Sequence, residues 1–425
     1  MDLNLILAPY HSTLTSTNME TTIVLNDSYR NNETLADLPA ILKPRETKLS
    51  PVEKNVVLIA IKLRILFIAC ITLRSYKKIK KAFAALLNLR KETWAGNLKK
   101  IYKVDGKYYF NLYTPGWPSP AYDNVIKSEL IRYGSPLQTE NKLKFIFFAI
   151  TRKCPLRCEH CFEWDNLNQK ETFTKDELMK IVALYQKQGV NQIQFSGGEP
   201  LVRIKDLVDV ISFAKNNCEC YVITSGFNLT KENARLLKNA GCKGMIISID
   251  HYIPELHNKF RNHPDIFYKA VDGVKASINA GLVTALSICA TAEFIDGGHL
   301  FPYLEFAKEL GVHFLQVLEP KALGHYAGKG ELLEERHMGQ LEDFFKMVNH
   351  SPRYKTYPTI MYHGYHQRRV GCFSGSRSLY IDSAGDVHAC PFCHTKSYNI
   401  RAILEMEDST IPVKENLCPR YEKIA

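Results

Sequence analysis

An apolar strand leads directly into three closely spaced cysteines in residues 144–161, which read KFIFFAITRKCPLRCEHC. The apolar run predicts a β-strand over Lys144–Thr151. Parallel α/β sheets place their active sites at the carboxyl edge of the strands, and the cysteines follow this strand immediately. We therefore expect Cys154, Cys158 and Cys161 to lie at the mouth of a sheet.

Strand and helix patterns then alternate along the chain, which is how a parallel sheet is built, because each parallel return needs a crossover helix. One of these helices is predicted to begin at the capping box Thr174–Glu177. Six strand–helix units over about 175 residues predict an α/β fold with a partial (β/α)6 TIM-like barrel, open on one side. The pattern alone also fits a doubly wound sheet. The five further predicted strands are Gln192–Phe195, Tyr221–Thr224, Met245–Ile249, Thr284–Cys289 and Phe314–Leu318.

The remaining sequence divides into flanking regions. Residues 1–50 are polar and without period, which predicts a disordered leader, and a second methionine, Met19, leaves the start open. Residues 51–142 predict a helical and hairpin extension, with a turn at Asp105-Gly106. The barrel is expected over 143–330. Residues 331–425 predict a linker helix and then an irregular Cys-rich domain that a metal stabilises.

Three thiolates in one short loop suit a particular metal centre. They can hold three irons of a [4Fe–4S] cluster and leave the fourth iron open, where an amine and a carboxylate of a cosubstrate can chelate it. A zinc site or three incidental cysteines is the competing interpretation. Zinc prefers four ligands with paired short spacings, which this loop does not offer.

The spacing Cys-x3-Cys-x2-Cys, followed forty residues later by Ser-Gly-Gly-Glu-Pro, resembles the radical S-adenosylmethionine (SAM) superfamily. The resemblance implies that the three cysteines hold the catalytic cluster. It implies that a second set of residues binds the cosubstrate SAM. That set is His160, Gly197, Gly198, Glu199, Pro200, Thr224, Ser225 and Asp250.

A second cysteine group lies toward the C-terminus: Cys372, Cys390, Cys393 and Cys418. It resembles the opening of the SPASM or twitch extension of radical SAM enzymes, which implies one auxiliary iron–sulfur cluster. A structural zinc on the same four thiolates is the competing interpretation. The other cysteines are predicted to be core residues: Cys70, Cys218, Cys220, Cys242 and Cys289.

Twelve cysteines in a chain of 425 residues, without the basic and apolar segments of a signal peptide, predict a reducing cytoplasm. The formal charge is +11, and residues 74–103 carry +9 of it. Because the basic charge is confined to one segment, we expect no nucleic-acid partner.

Residues 56–73 form the one membrane candidate. They are apolar except for Lys62, Arg64 and Thr72. Two charges in the middle disfavour a spanning helix. A helix packed against the protein is one interpretation, and an anchor lying on the inner face of a membrane, with contact through residues 56–103, is the other.

The resemblance implies reductive cleavage of SAM to a 5′-deoxyadenosyl radical that abstracts hydrogen from a substrate, with electrons from a flavodoxin- or ferredoxin-type donor. A peptide or protein substrate, as in maturases, is the first hypothesis. A small molecule or lipid at the membrane surface is the alternative. A hypothesis of another class is a non-catalytic zinc or iron–sulfur binding protein.

Overall fold

One sheet of ten strands organises the computed structural model. The structure describes residues 49–96, 100–135, 143–329 and 332–405, without the side chains of residues 394 and 395, and all of them belong to one unit that begins at Ile41. The predicted leader up to residue 48 and the predicted ligand Cys418 lie outside the described residues.

The six predicted strands are confirmed, with ends that differ by at most three residues. Each of these six strands pairs in parallel with the next one along the chain. They are β3 (Phe145–Ala149), β4 (Gln192–Ser196), β5 (Glu219–Thr224), β6 (Cys242–Ser248), β7 (Val283–Cys289) and β8 (Phe314–Leu318). This order of parallel strands with crossover helices is that of the predicted partial barrel.

The helices of the described residues lie between and around these strands. A capping box at Thr174 and Glu177 begins α4, as predicted. In chain order they are α1 (Pro51–Leu73), α2 (Tyr76–Trp94), α3 (Pro120–Gly134), α4 (Lys175–Lys187), α5 (Ile204–Ala214), α6 (Lys231–Ala240), α7 (Pro254–Arg261), α8 (Ile266–Asn279), α9 (Ala292–Asp296), α10 (Leu300–Glu309), α11 (Glu335–His350), α12 (His363–Val370) and α13 (Ile400–Leu404).

The C-terminal region differs from the prediction of irregular structure. Strand β9 (Thr359–Tyr362) pairs in parallel with β8, and β10 (Ser378–Ile381) pairs in parallel with β3. Strands β11 (Asp386–Cys390) and β12 (Cys393–Asn399) continue the sheet as an antiparallel hairpin. The expectation of irregular structure was wrong for β10, β11 and β12. Short strands interrupted by Gly, Cys and Pro show little apolar period, and their pairing depends on the edge that β3 offers.

The N-terminal extension packs against the sheet. The predicted hairpin is present as β1 (Tyr102–Val104) and β2 (Lys107–Tyr109), with Asp105 and Gly106 both at positive φ in its turn. Tyr109 and Leu112 pack on core residues from five strands of the large sheet. The hairpin therefore fixes the extension to the interior of the sheet.

Helix α1 is the one helix among the described residues that is long and apolar enough to cross a membrane, by length and composition alone. One of its faces packs on α3 and on the hairpin region. Cys70, predicted to be a core residue, is exposed on α1, so that prediction was wrong; Cys218, Cys220, Cys242 and Cys289 are buried as predicted.

Candidate active site

The loop after β3 brings the first three cysteines together at the carboxyl edge of the sheet. Cys158 is buried, Cys154 and Cys161 are half-buried, and all three pack around Leu156 and Ile266. Asn168, at φ +58°, fixes the start of the loop, because its side-chain oxygen accepts from the amide of Cys154 at 3.0 Å and its Nδ2 donates to the Cys154 carbonyl at 3.1 Å. The loop geometry is therefore set by residues outside the motif.

The environment of the three thiols is apolar. Burial raises the pKa of Cys154 to about 12 and also raises the pKa values of Cys158 and Cys161. A metal centre that takes these sulfurs as thiolates must therefore displace their protons. In the part of the chain that the structure describes, no three Cys, His, Asp or Glu side chains converge on a position for a single metal ion. A cube-shaped cluster does not require such convergence, because it presents a separate iron to each thiolate.

The Gly-Gly-Glu segment lies directly beside this loop. A Cβ atom on Gly198 would lie 2.4 Å from the Lys153 carbonyl, and one on Gly197 would lie 2.6 Å from the Thr151 carbonyl. The Gly198 amide donates to the Thr151 carbonyl at 2.9 Å, and the Glu199 amide donates to the Lys153 carbonyl at 2.8 Å. Only glycine allows this approach, so the segment holds the cysteine loop against β4.

The Glu199 carboxylate is fully engaged by neighbouring residues. Its Oε1 accepts from Thr224 Oγ1 at 2.7 Å and from the Leu201 amide, and its Oε2 accepts from the amide and the hydroxyl of Ser225 at 2.8 and 2.6 Å. Burial raises the pKa of Glu199, and these hydrogen bonds partly offset the rise. Glu199, Thr224 and Ser225 thus form one buried unit that joins the ends of β4 and β5.

Asp250, a predicted SAM-binding residue, is buried in an ion pair. Its Oδ2 accepts from Arg261 Nε at 2.5 Å, and its Oδ1 accepts from the Cys289 amide at 3.0 Å. Burial alone would raise the pKa of Asp250, but the Arg261 guanidinium holds it below its ordinary value. Arg261 also directs Nη1 at the Cys158 sulfur, 3.6 Å away. The structure therefore connects Asp250 to the first cysteine group through Arg261.

His160 stacks on Phe260, with ring centroids 4.8 Å apart, and borders the same cavity as the cysteines. Burial lowers the pKa of His160 to about 4, so the ring is neutral. Its Nδ1 is buried without a hydrogen-bond partner among the described residues. Pro200, the last of the predicted set, begins a short 3-10 helix behind Glu199.

The second cysteine group is assembled from separate elements. Cys390 and Cys393 are paired residues at the turn between β11 and β12, and Cys372 follows α12. All three are buried and pack around Phe392. Gln367 Nε2 points at the Cys372 sulfur, 3.6 Å away. These three predicted ligands therefore come together as expected.

Both cysteine groups line one cavity of about 620 Å³. Phe162, directly after Cys161, packs edge-on against Phe392 with ring centroids 5.6 Å apart, and so links the two groups. The cavity wall also includes apolar side chains of α2, among them Leu86, Leu89 and Trp94.

A chain of hydrogen-bonded polar side chains lines the same cavity. Ser287 Oγ donates to Gln316 Oε1 at 2.9 Å, Gln316 Nε2 donates to the Tyr113 hydroxyl, and that hydroxyl is 2.7 Å from His363 Nε2. Burial lowers the pKa of His363 to about 4, so this ring is neutral. The chain joins three distant parts of the sequence and adds neutral polar groups to a cavity wall that also contains charged side chains such as Glu199, Asp250 and Arg261.

Comparison with known proteins identifies the class of this fold. Residues 148–291 match the model of the Radical SAM superfamily. Residues 148–291 therefore form a radical SAM domain, and proteins of that superfamily use a [4Fe–4S] cluster and SAM.

Two curated relatives are similar in sequence. They are the GTP 3′,8-cyclase of Nautilia profundicola, 30% identical over 190 residues, and the probable GTP 3′,8-cyclase of Methanocaldococcus jannaschii, 31% identical over 180 residues. Each match spans 42% of this chain and 58% or 59% of the relative. The chain thus covers less than two thirds of the length of these relatives.

Among solved structures, Streptococcus suis SuiB bound to the precursor peptide SuiA has a similar fold. Its TM-score is 0.53 at 14% identity, over 71% of this chain and 74% of SuiB. SuiB bound to S-adenosylmethionine gives a TM-score of 0.52 at 13% identity, over 68% of this chain and 72% of SuiB.

Sequence reasoning missed several residues of this site. Asn168, Arg261, Phe162 and the chain from Ser287 to His363 carry no local motif that predicts their positions. Arg261 lies eleven residues beyond Asp250, at the end of α7, and only the course of that helix returns it to Cys158.

Proposed function

We propose that this chain is a radical SAM enzyme that acts on a substrate held in the cavity between its two cysteine groups. The observation that carries the proposal is that the triad Cys154, Cys158, Cys161 and the group Cys372, Cys390, Cys393 border one cavity. An open iron and a second metal centre would then face the same substrate.

In this proposal the triad holds a [4Fe–4S] cluster, and SAM lies beside the ends of β4 and β5. Reduced by one electron from an external flavodoxin- or ferredoxin-type donor, the cluster and SAM held there would supply methionine and a 5′-deoxyadenosyl radical, the species that would remove a hydrogen atom from a substrate C–H bond. The protein's own residues position this chemistry: Glu199 fixes the strand ends, and the buried apolar wall excludes water from a reactive species.

The experiment is anaerobic reconstitution with iron and sulfide, followed by dithionite and SAM. We expect 5′-deoxyadenosine in the wild type and none in Cys158→Ala. The competing hypothesis of a non-catalytic zinc or iron–sulfur protein predicts no 5′-deoxyadenosine from the wild type, and zinc instead of iron in metal analysis supports its zinc form.

The substrate we propose first is a peptide or protein. Support comes from the likeness in fold to SuiB, whose structure contains a precursor peptide, together with a second cysteine group in the same cavity. The test adds a short peptide encoded beside the gene to the reduced enzyme with SAM. We expect the peptide to lose hydrogen, and mass spectrometry measures the loss. GTP serves as the comparison, because the sequence relatives are named as GTP cyclases.

A second candidate is a radical enzyme for a small molecule or lipid at the inner face of a membrane. The specific observation is the apolar surface of α1, six of whose large side chains are more than half exposed. In either case the proposed location is the cytoplasm, and the proposed partners do not include nucleic acid.

A further inference from the structure

Helix α1 has two apolar faces, and only one of them is covered. Val57, Ile61, Ile68, Ala69 and Leu73 are buried against α2, α3 and the hairpin region. Six other side chains form a continuous stripe on the opposite face at spacings of three and four residues. They are Val52, Val56, Ile59, Leu63, Phe67 and Ile71, and each is at least 53% exposed.

Two charged residues border this stripe. At 100° per residue, Lys62 falls on one side of the stripe and Arg64 on the other, so neither interrupts it. Arg64 is bound to Asp123 of α3 through Nη2 at 2.5 Å, whereas Lys62 is exposed to solvent. The two charges that disfavour a spanning helix therefore lie at the edges of the exposed face.

The next helix in the chain, α2, begins three residues after α1 ends and carries exposed basic side chains. Lys77, Lys80 and Lys81 on α2 are exposed, and within the described residues none of them has an acidic partner. Tyr76 and Leu87 lie near Lys80 on the helix surface and are 66% and 56% exposed. The surface formed by the α1 stripe and these α2 residues, here called the α1–α2 face, combines apolar and cationic groups.

We infer that the α1–α2 face docks on the surface of an anionic lipid bilayer. The stripe would lie among the acyl chains near the headgroups, and Lys62, Lys77, Lys80 and Lys81 would meet the phosphates. This inference goes beyond the proposed function and is independent of which substrate is used.

The charge on this surface favours a bilayer over a second copy of the chain. A symmetric dimer through the α1–α2 face would bring the two basic segments together, and like charges across an interface oppose association. The segment 74–103 contains ten basic residues and one acidic residue, Glu92, so it provides little acidic surface to compensate.

The buried face of α1 excludes a spanning arrangement for the folded unit. Its packing on α3 and its ion pair with Asp123 hold the whole helix against the protein. Because the protein covers one face of α1, the helix would lie along the membrane surface. Its 23 residues make it about 35 Å long.

The experiment is sedimentation of the reconstituted full chain with vesicles of phosphatidylcholine alone or mixed with phosphatidylglycerol. Two double variants test the two parts of the face: Ile59→Gln with Leu63→Gln, and Lys80→Glu with Lys81→Glu. Their matched controls lie on other helices. Leu236→Gln with Leu256→Gln replaces side chains that are 43% exposed, and Lys187→Glu with Lys231→Glu reverses two exposed lysines.

We expect wild type to bind the anionic vesicles in preference to the neutral ones. The apolar variant should bind about tenfold more weakly or worse. The lysine variant should bind about 30-fold more weakly or worse, because each lysine near an anionic surface contributes about fivefold. Both controls should bind like wild type, and thermal unfolding should show that all variants are folded.

Three results would overturn the inference. One is a wild type that does not bind anionic vesicles. Another is binding of the Ile59/Leu63 variant to anionic vesicles as strong as that of wild type. The third is a dimer in light scattering that this variant abolishes while vesicle binding is absent, which would assign the face to a second copy. Formation of 5′-deoxyadenosine, measured without vesicles, tests the proposed function separately.

Discussion

The two cysteine groups each bring three thiols together, but they are built in different ways. The first comes from eight consecutive residues, Cys154 to Cys161, in a loop that β3, β4 and α7 support. The second brings together Cys372, Cys390 and Cys393 from the end of α12 and a hairpin at the sheet edge. A local group can be recognised from spacing alone, whereas a dispersed group depends on the fold to bring its members together.

The largest expected effect comes from removing one cysteine of the first group. Cys158→Ala should lower reductive formation of 5′-deoxyadenosine by about a thousandfold or more, because the proposed cluster would lose one of its three ligands. Cys289→Ala is the matched control, since this thiol borders the same cavity outside the motif. Quantitative chromatography measures the product, and activity retained in Cys158→Ala would contradict the assignment.

Breaking the second group should have a different result. Cys390→Ala is expected to remove about four of about eight iron atoms per chain and to leave 5′-deoxyadenosine formation in place, because the first group is intact. Iron analysis and Mössbauer spectra measure this. Unchanged iron content would show that Cys390 is not a ligand, and zinc in the wild type would favour the structural alternative.

The support of the first group can be tested through Glu199. Glu199→Gln replaces an acceptor oxygen by an NH₂ group that faces hydroxyl and amide donors of Thr224 and Ser225. A loss of about 1–3 kcal/mol in the free energy of unfolding is expected. Glu177→Gln, in the exposed capping box of α4, should cost no more than about 1 kcal/mol. Chemical denaturation compares the two, and equal losses would argue against the buried unit.

The smallest expected effect comes from changing one hydrogen bond to a sulfur in each cysteine group. Arg261 donates to the Cys158 sulfur, and Gln367 donates to the Cys372 sulfur. Hydrogen bonds to cluster sulfurs raise the reduction potential, so Arg261→Lys should lower that of the first cluster by tens of millivolts. Gln367→Leu should do the same for the second cluster only. Redox titration followed by electron paramagnetic resonance separates them, and a shift in both clusters from either variant would contradict this assignment.

Much of the fold was predictable because its signals are local. The six strands and the capping box of α4 were predicted from residues close together in sequence. The roles of Glu199 and Asp250 were not, because each carboxylate is occupied by partners from another strand or helix: Thr224 and Ser225 for Glu199, Arg261 and Cys289 for Asp250.

The sequence by itself determined the first cysteine group, the parallel core and the basic segment, because each is a pattern of neighbouring residues. Only the tertiary structure decided that 378–399 extends the sheet, that both cysteine groups share one cavity, and that α1 covers one apolar face while exposing the other. These facts depend on which surfaces meet, and a helix that is apolar all round does not reveal in its sequence which side the protein buries.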